Sequence, residues 1–214
     1  MTVVRVLAVG DPAVGVYTDE SRGILRRFAD ASGITAQFDV LPWDRYGTTL
    51  FSEAARAEPD YDVVMVAGHL WLAQFAARGW LQPLDDFAEF ASPEFAAHDI
   101  LPVVDAELRV ANRRFLTPSF SDGHLLYANA PGVVSEAQRP VDPLQFSVLA
   151  GGVSGFSAPL VCKAAASEIL LDWIPYLRAA GGEVFGPDGE PLFNSTEGRE
   201  ALDYYVALRS LVSE

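Results

Sequence analysis

Strand and helix patterns alternate three times in the first 80 residues, and this alternation constrains the fold more than any other feature of the chain. Val3 to Val9 is a short apolar run rich in β-branched residues that stops at Gly10-Asp11-Pro12, the pattern of a buried parallel strand and its loop. Thr18 to Ser32 has helical spacing, with Ile24, Leu25 and Phe28 on one face and Gly33 as the stop. Thr35 to Leu41 reads as a second strand, Pro42-Trp43-Asp44 as the turn after it, and Tyr46 to Ala57 as a second helix. Tyr61 to Ala67 reads as a third strand ending in Gly68-His69, and Leu70 to Arg78 as a third helix closed by Gly79. Such alternation implies right-handed βαβ crossovers, and so an α/β fold with a mainly parallel sheet and helices on both faces.

Beyond residue 80 the pattern changes. Phe115 to Asn129 is mostly extended and is broken by Pro118 and Gly123, as where a chain leaves one packed unit for another. Residues 130–160 are rich in Gly, Pro and Ser. Ser167 to Ala180 reads as a helix ending at Gly181-Gly182, Pro187-Asp188-Gly189-Glu190 as a turn, and Ser195 as the N-cap of a last helix. The expected organisation is a first lobe over 1–117, a crossover over 118–129 and a second lobe over 130–214.

Half of the residues are hydrophobic and 21% are charged, which suits a protein with a substantial core. The net charge of −14 repels backbone phosphates, so nucleic acid is not an expected partner. No apolar run reaches the roughly 20 residues of a membrane-spanning helix, and no direct membrane insertion is expected. Cys162, the only cysteine, excludes an intramolecular disulfide and a cysteine-based zinc site. Met1 leads directly into a strand pattern without a basic start and longer apolar stretch. Two settings fit: a periplasmic or extracellular protein whose leader has been removed, which is preferred, and a cytoplasmic one.

The motifs of chemistry are missing. Gly151-Gly152-Val-Ser-Gly155 has neither the Lys-Ser/Thr of a P-loop nor dinucleotide-site spacing. His69, His98 and His124 have no partner at metal-ligand spacing, no Gly-x-Ser-x-Gly elbow is present, and Cys162 has no obvious base. Asp85 and Asp86 read as capping or solvated acids. Neither a cofactor, a metal nor a catalytic residue is expected.

Recognition residues are easier to find. Asp11, Trp43 and Gly68-His69 each follow a strand, and the carboxyl ends of parallel strands are where open sheets bind ligands. An aromatic face stacks on the apolar face of a sugar ring while polar groups take its hydroxyls. Trp43 is open to both ligand contact and core packing. Trp71 opens a helix that must bury one face, and Trp80 and Trp173 read as core.

Pro42-Trp-Asp-Arg-Tyr46, Tyr61-Asp-Val-Val, Trp71 to Asp85 and Asp99-Ile-Leu-Pro102 resemble, in that order, the first lobe of the sugar-type extracellular solute-binding proteins of ABC importers (family 1). Pro118 to Asn129 resembles the first crossover between lobes, and Trp173 to Phe185 and Asp188 to Leu202 resemble second-lobe segments. The resemblance implies a two-lobed fold of the type II periplasmic-binding-protein kind that closes on a mono- or oligosaccharide without chemistry and delivers it to a membrane permease. It puts first-lobe contacts on the loops of Asp11, Trp43, Gly68, His69 and Trp71, and crossover contacts near Phe120 and Asp122. Pro140 to Leu149 is abbreviated relative to the family, and related proteins carry about as much sequence again after the position of Glu214, so the second lobe is expected to be incomplete. Two other readings are a remnant that no longer binds ligand and an α/β enzyme of unrecognised type.

Overall fold

The structure, a computed structural model, describes residues 2–121, 123, 143–145, 160–163, 165, 169–186 and 189–212. The chain divides into two units, Met1–Ser121 and Asp122–Glu214.

The first unit is built on three parallel strands. β1 (Thr2–Val9) lies between β2 (Ile34–Leu41) and β3 (Val63–Val64). β1 and β2 pair along their whole length, from Thr2 opposite Ile34 to Val9 opposite Leu41. Two βαβ units with β1 in the middle are what the alternation in the sequence requires. β3 is shorter than the expected Tyr61–Ala67, because only Val63 and Val64 stand opposite Val6 and Leu7. The Asp62 and Met65 amides still donate to the carbonyls of Arg5 and Leu7, each at 3.0 Å, so hydrogen bonding extends one residue past β3 at each end.

The helices start earlier than the apolar spacing suggests. Asp11 accepts a hydrogen bond from the Ala13 amide at 2.9 Å and caps α1 (Pro12–Thr18), with Pro12 at its first position. The expected single helix over Thr18–Ser32 is therefore three pieces: the end of α1, a 3₁₀ turn over Glu20–Arg22, and α2 (Ile24–Ser32). Gly23 separates the last two with φ +60°, a conformation that only glycine adopts without strain. Phe28 does not join Ile24 and Leu25 in partial burial and is 44% exposed. α3 (Trp43–Ala54) begins at Trp43 itself, and the Pro42 carbonyl accepts the Arg45 and Tyr46 amides. α4 (Gly68–Ala77) begins at Gly68.

Successive strand residues point to opposite faces. Leu7 and Val9 on one face pack with Tyr46 and Leu50 of α3 and Phe75 of α4. Val6 and Ala8 on the other face are buried as well, so the carboxyl half of β1 is covered on both sides. Trp80 packs against this core, as expected.

After 3₁₀ turns between Leu84 and Asp99, α5 (Pro102–Glu107) leads into a hairpin of β4 (Arg109–Val110) and β5 (Arg113–Arg114). Asp85 and Asp86, expected as caps or solvated acids, instead hold this hairpin. Asp85 accepts the Arg114 amide at 2.7 Å, and Asp86 accepts from the Arg113 guanidinium at 2.7 Å.

In the second unit α6 (Ile169–Ala179) packs on α7 (Thr196–Ala207), with Tyr176, Leu177, Ala201 and Leu208 buried between them and Trp173 packed at the edge. The Ser195 hydroxyl accepts the Gly198 amide at 3.1 Å and caps α7, the role its position predicts.

Candidate functional site

The carboxyl ends of the three strands are followed by three helix starts, and the residues singled out from the sequence sit on them. Gly10 donates to the Leu41 carbonyl at 2.7 Å, which ties the turn after β1 to the end of β2. Asp11 follows at once, half-buried, with one carboxylate oxygen committed to capping α1.

Trp43 is the first residue of α3 and not a turn residue. Its first-turn position has no side-chain cap above it, and the residue is 53% exposed. The ring meets that of Tyr46, centroid to centroid at 6.2 Å and 74° between planes. About half of this aromatic residue stays open to solvent at the rim of the sheet. The polar environment is modest: Asp44 lies in the same first turn, beside the positive end of the helix dipole.

Gly68 and His69 open α4, again at the helix start and not in a loop. A Cβ at Gly68 would lie 3.0 Å from the Glu107 carbonyl oxygen and 3.4 Å from Leu116 Cδ1. The close approach of α4 to the segment after α5 explains this glycine without a ligand. His69 is exposed and lines an open depression of about 190 Å³ with Gly68, Leu72, Glu107 and Arg109. Asp11 and Trp43 do not line this depression. A second depression of about 280 Å³, next to Tyr17, Asp19 and Arg26, also lacks the singled-out residues.

Trp71 turns toward the core. Its ring lies 6.5 Å from that of Tyr46 at 30° and 5.7 Å from that of Phe51 at 86°. Phe120 is exposed in the extended segment before the second unit, and Asp122 lies outside the described residues. Trp43 and Trp71 are therefore both brought into ring contact with one tyrosine, while Asp11 and His69 mark the starts of neighbouring helices.

Two residues of this region went unnoticed in the sequence. Tyr46 is 1% exposed, and its hydroxyl donates to the Met65 carbonyl, with the Leu7 carbonyl at 3.4 Å as a second acceptor. Burial pushes its phenol well above the ordinary range. Its spacing of three from Trp43 is the available signal, once α3 is known to start at Trp43. Tyr17, at the end of α1, donates to the Ser119 carbonyl at 2.6 Å, which ties α1 to the extended segment.

Among the described residues no group of three or more His, Cys, Asp or Glu could hold a metal ion. No described helix is long and apolar enough to cross a membrane. Cys162 is half-buried, and burial, with the Asp172 carboxylate second, pushes its thiol up and away from the reactive thiolate.

Residues 17–121 match the bacterial extracellular solute-binding proteins. The family is one of binding proteins and not of enzymes. No characterised protein sequence matches the chain significantly. Solved structures do. An ABC transporter solute-binding protein from Agrobacterium radiobacter, in complex with ribitol, superposes with a TM-score of 0.69 at 19% identity over 97% of this chain and 52% of its own. One from Thermotoga lettingae, bound with alpha-D-tagatose, gives 0.64 at 16% identity over 100% and 56%. The maltotriose-binding protein of Thermus thermophilus, bound with maltotriose, gives 0.65 at 18% identity over 99% and 55%. The fold is that of type II periplasmic binding proteins, and the chain spans about half the length of these solute-binding proteins.

Proposed function

We propose that the chain is the carbohydrate- or polyol-binding component of an ABC import system, which holds its ligand without chemistry and presents it to a membrane permease outside the cytoplasm. The family match supports the binding role, and the ribitol, tagatose and maltotriose held by the similar structures support a polyhydroxylated ligand. The observation that carries the reading is Trp43. A half-exposed indole at the carboxyl edge of a parallel sheet, in ring contact with a buried tyrosine, offers a platform for the apolar face of a sugar ring. In this reading Asp11, Gly68, His69 and Trp71 belong to the surrounding first-lobe surface, and Phe120 and Asp122 to the crossover. The first lobe is taken as 1–117, the crossover as 118–129 and the partial second lobe as 130–214.

Titration calorimetry against ribitol, tagatose and maltotriose tests the proposal. At least one should give heat, and Trp43→Ala should weaken that binding about tenfold or more, since a ring stack and its burial are lost together. Unchanged affinity in Trp43→Ala would remove the platform from the site. A folded chain that binds none of the three supports the competing reading, a remnant without ligand binding. That reading rests on the chain spanning about half of the proteins it resembles.

A further inference from the structure

Trp43 has few constraints of its own. It stands in a first turn without a side-chain cap, and among the described residues its ring contact is with Tyr46. An exposed side chain of this kind hops between rotamers on the picosecond-to-nanosecond scale unless something holds it. A platform that moves must be ordered when the ligand arrives, and that ordering weakens binding.

Tyr46 is held from three directions. Its hydroxyl reaches the carbonyls of Leu7 on β1 and Met65 just past β3, so one side chain bridges two neighbouring strands at their carboxyl ends. One face of its ring lies along Trp71, and Trp71 is itself wedged against Phe51. Leu50, one turn further along α3, is fully buried in the same core. The remaining ring contact is with Trp43.

We propose that Tyr46 is a positioning residue: it passes the rigidity of the sheet to Trp43 and fixes the plane in which the indole meets a ligand. The ligand part of this inference rests on the carbohydrate-site reading above; the positioning of Trp43 does not. The hydroxyl is the part that anchors, because without it the ring could slide along Trp71 and the edge that steadies Trp43 would move with it. Tyr46 stays a neutral donor across ordinary pH, so the anchor does not switch with pH.

The test uses the full chain and two variants. Tyr46→Phe keeps the ring and removes the anchor, and Tyr46→Leu removes both; Leu50→Ala is the control, as it loosens the same core without touching Trp43. The first readout needs no ligand: time-resolved anisotropy of the Trp43 emission, taken as the difference between each protein and its Trp43→Phe counterpart. Tyr46→Phe should move amplitude of the Trp43 decay from the slow tumbling component to a fast one, Tyr46→Leu should move at least as much, and Leu50→Ala should leave the amplitudes unchanged. The second readout is sugar affinity in a double-mutant cycle. Tyr46→Phe should weaken binding roughly five- to tenfold when Trp43 is present and should have no effect in Trp43→Ala. Unchanged Trp43 motion in both Tyr46 variants overturns the proposal, as does an equal loss of affinity in both backgrounds. If no sugar binds but Tyr46→Phe frees the indole, the carbohydrate reading fails and the positioning role stands.

Discussion

The two units bury aromatic residues in different ways. In the first, a sheet supplies the floor: β1 is covered on both faces, and Phe51, Phe75 and Trp80 meet edge to face at 5.0, 5.2 and 6.0 Å over it. In the second, the described residues offer two helices. Tyr176 is wedged against Tyr204 and Tyr205, and the Tyr205 hydroxyl lies 2.8 Å from the Asp172 carboxylate and 2.7 Å from the Lys163 carbonyl. One helix stripe faces one partner, and apolar side chains of the described residues lie outside that stripe. Leu170, Phe185, Phe193, Leu202 and Val206 are exposed, and Val161 is 90% exposed. The comparison teaches that the first core rests on a sheet, whereas the second is set between two helices with Leu144 and Leu160 of other segments packed against it.

The largest expected effect breaks or confirms this. Phe75→Ala removes a fully buried ring from the three-ring contact and should destabilise the first unit by about 3–5 kcal/mol. Leu177→Ala, equally buried in the second unit, should cost less, nearer about 2–3 kcal/mol, because it removes a smaller side chain. Amide exchange reads both, since protection of the β1 amides reports the first and of the α6 amides the second. A larger loss in Leu177→Ala would mean that the helix pair is the better-packed core.

The next effect is electrostatic and confined to the first unit. Asp105 accepts from the Arg109 guanidinium at 2.9 Å and from that of Arg114, whose side chain is 3% exposed and lies over the Phe95 ring. The hydrogen bond from Arg109, with the charge of Arg114 behind it, holds the Asp105 carboxyl below its ordinary value. A folded-state value below the unfolded one adds stability that is complete above the unfolded value and is lost as pH falls through the folded one. Asp105→Asn leaves a buried guanidinium short of its counter-charge, and a loss on the order of 3 kcal/mol is expected near neutral pH. The difference between the two proteins should narrow as the pH is lowered below about 4. Urea unfolding of both at neutral and acid pH measures it; a constant difference would show that Asp105 acts by packing alone.

How much of this was legible depends on which signal carried it. The β1 and β2 strands and their parallel pairing follow from two apolar runs with a helix between them, and Gly33 and Ser195 end and start their helices as read. The helix starts were missed where two signals compete. Asp11-Pro12 and Pro42-Trp43 each serve as a turn pair and as a helix opening, and proximity to the sheet decides for the helix. Ala67 before α4 carries no capping side chain at all, so nothing in the residue types marks that boundary. Asp85, Asp86 and Asp105 meet Arg113 and Arg114 in one network from separations of up to 29 residues, and no local pattern predicts such pairing. The site divides the same way. An exposed aromatic at a strand end could be picked out, but the tyrosine that braces it could be placed only after the start of α3 was fixed.

The smallest expected effect on stability belongs to the residue with the largest expected effect on binding. Trp43 is half-exposed, it occupies a helix position whose amide needs no intrahelical partner, and alanine is the better helix former there. What Trp43→Ala loses in the folded state is one ring contact with Tyr46 and about half of an indole's burial, about 2 kcal/mol in all. Trp71→Ala removes a ring in contact with both Tyr46 and Phe51 and should cost more, about 3–4 kcal/mol. Thermal unfolding of the two variants side by side gives the answer. A midpoint that falls as far for Trp43→Ala as for Trp71→Ala would place both indoles in the core, and the sheet edge would then present no platform. A small shift for Trp43 and a large one for Trp71 would separate a surface held ready for a ligand from the packing that holds it.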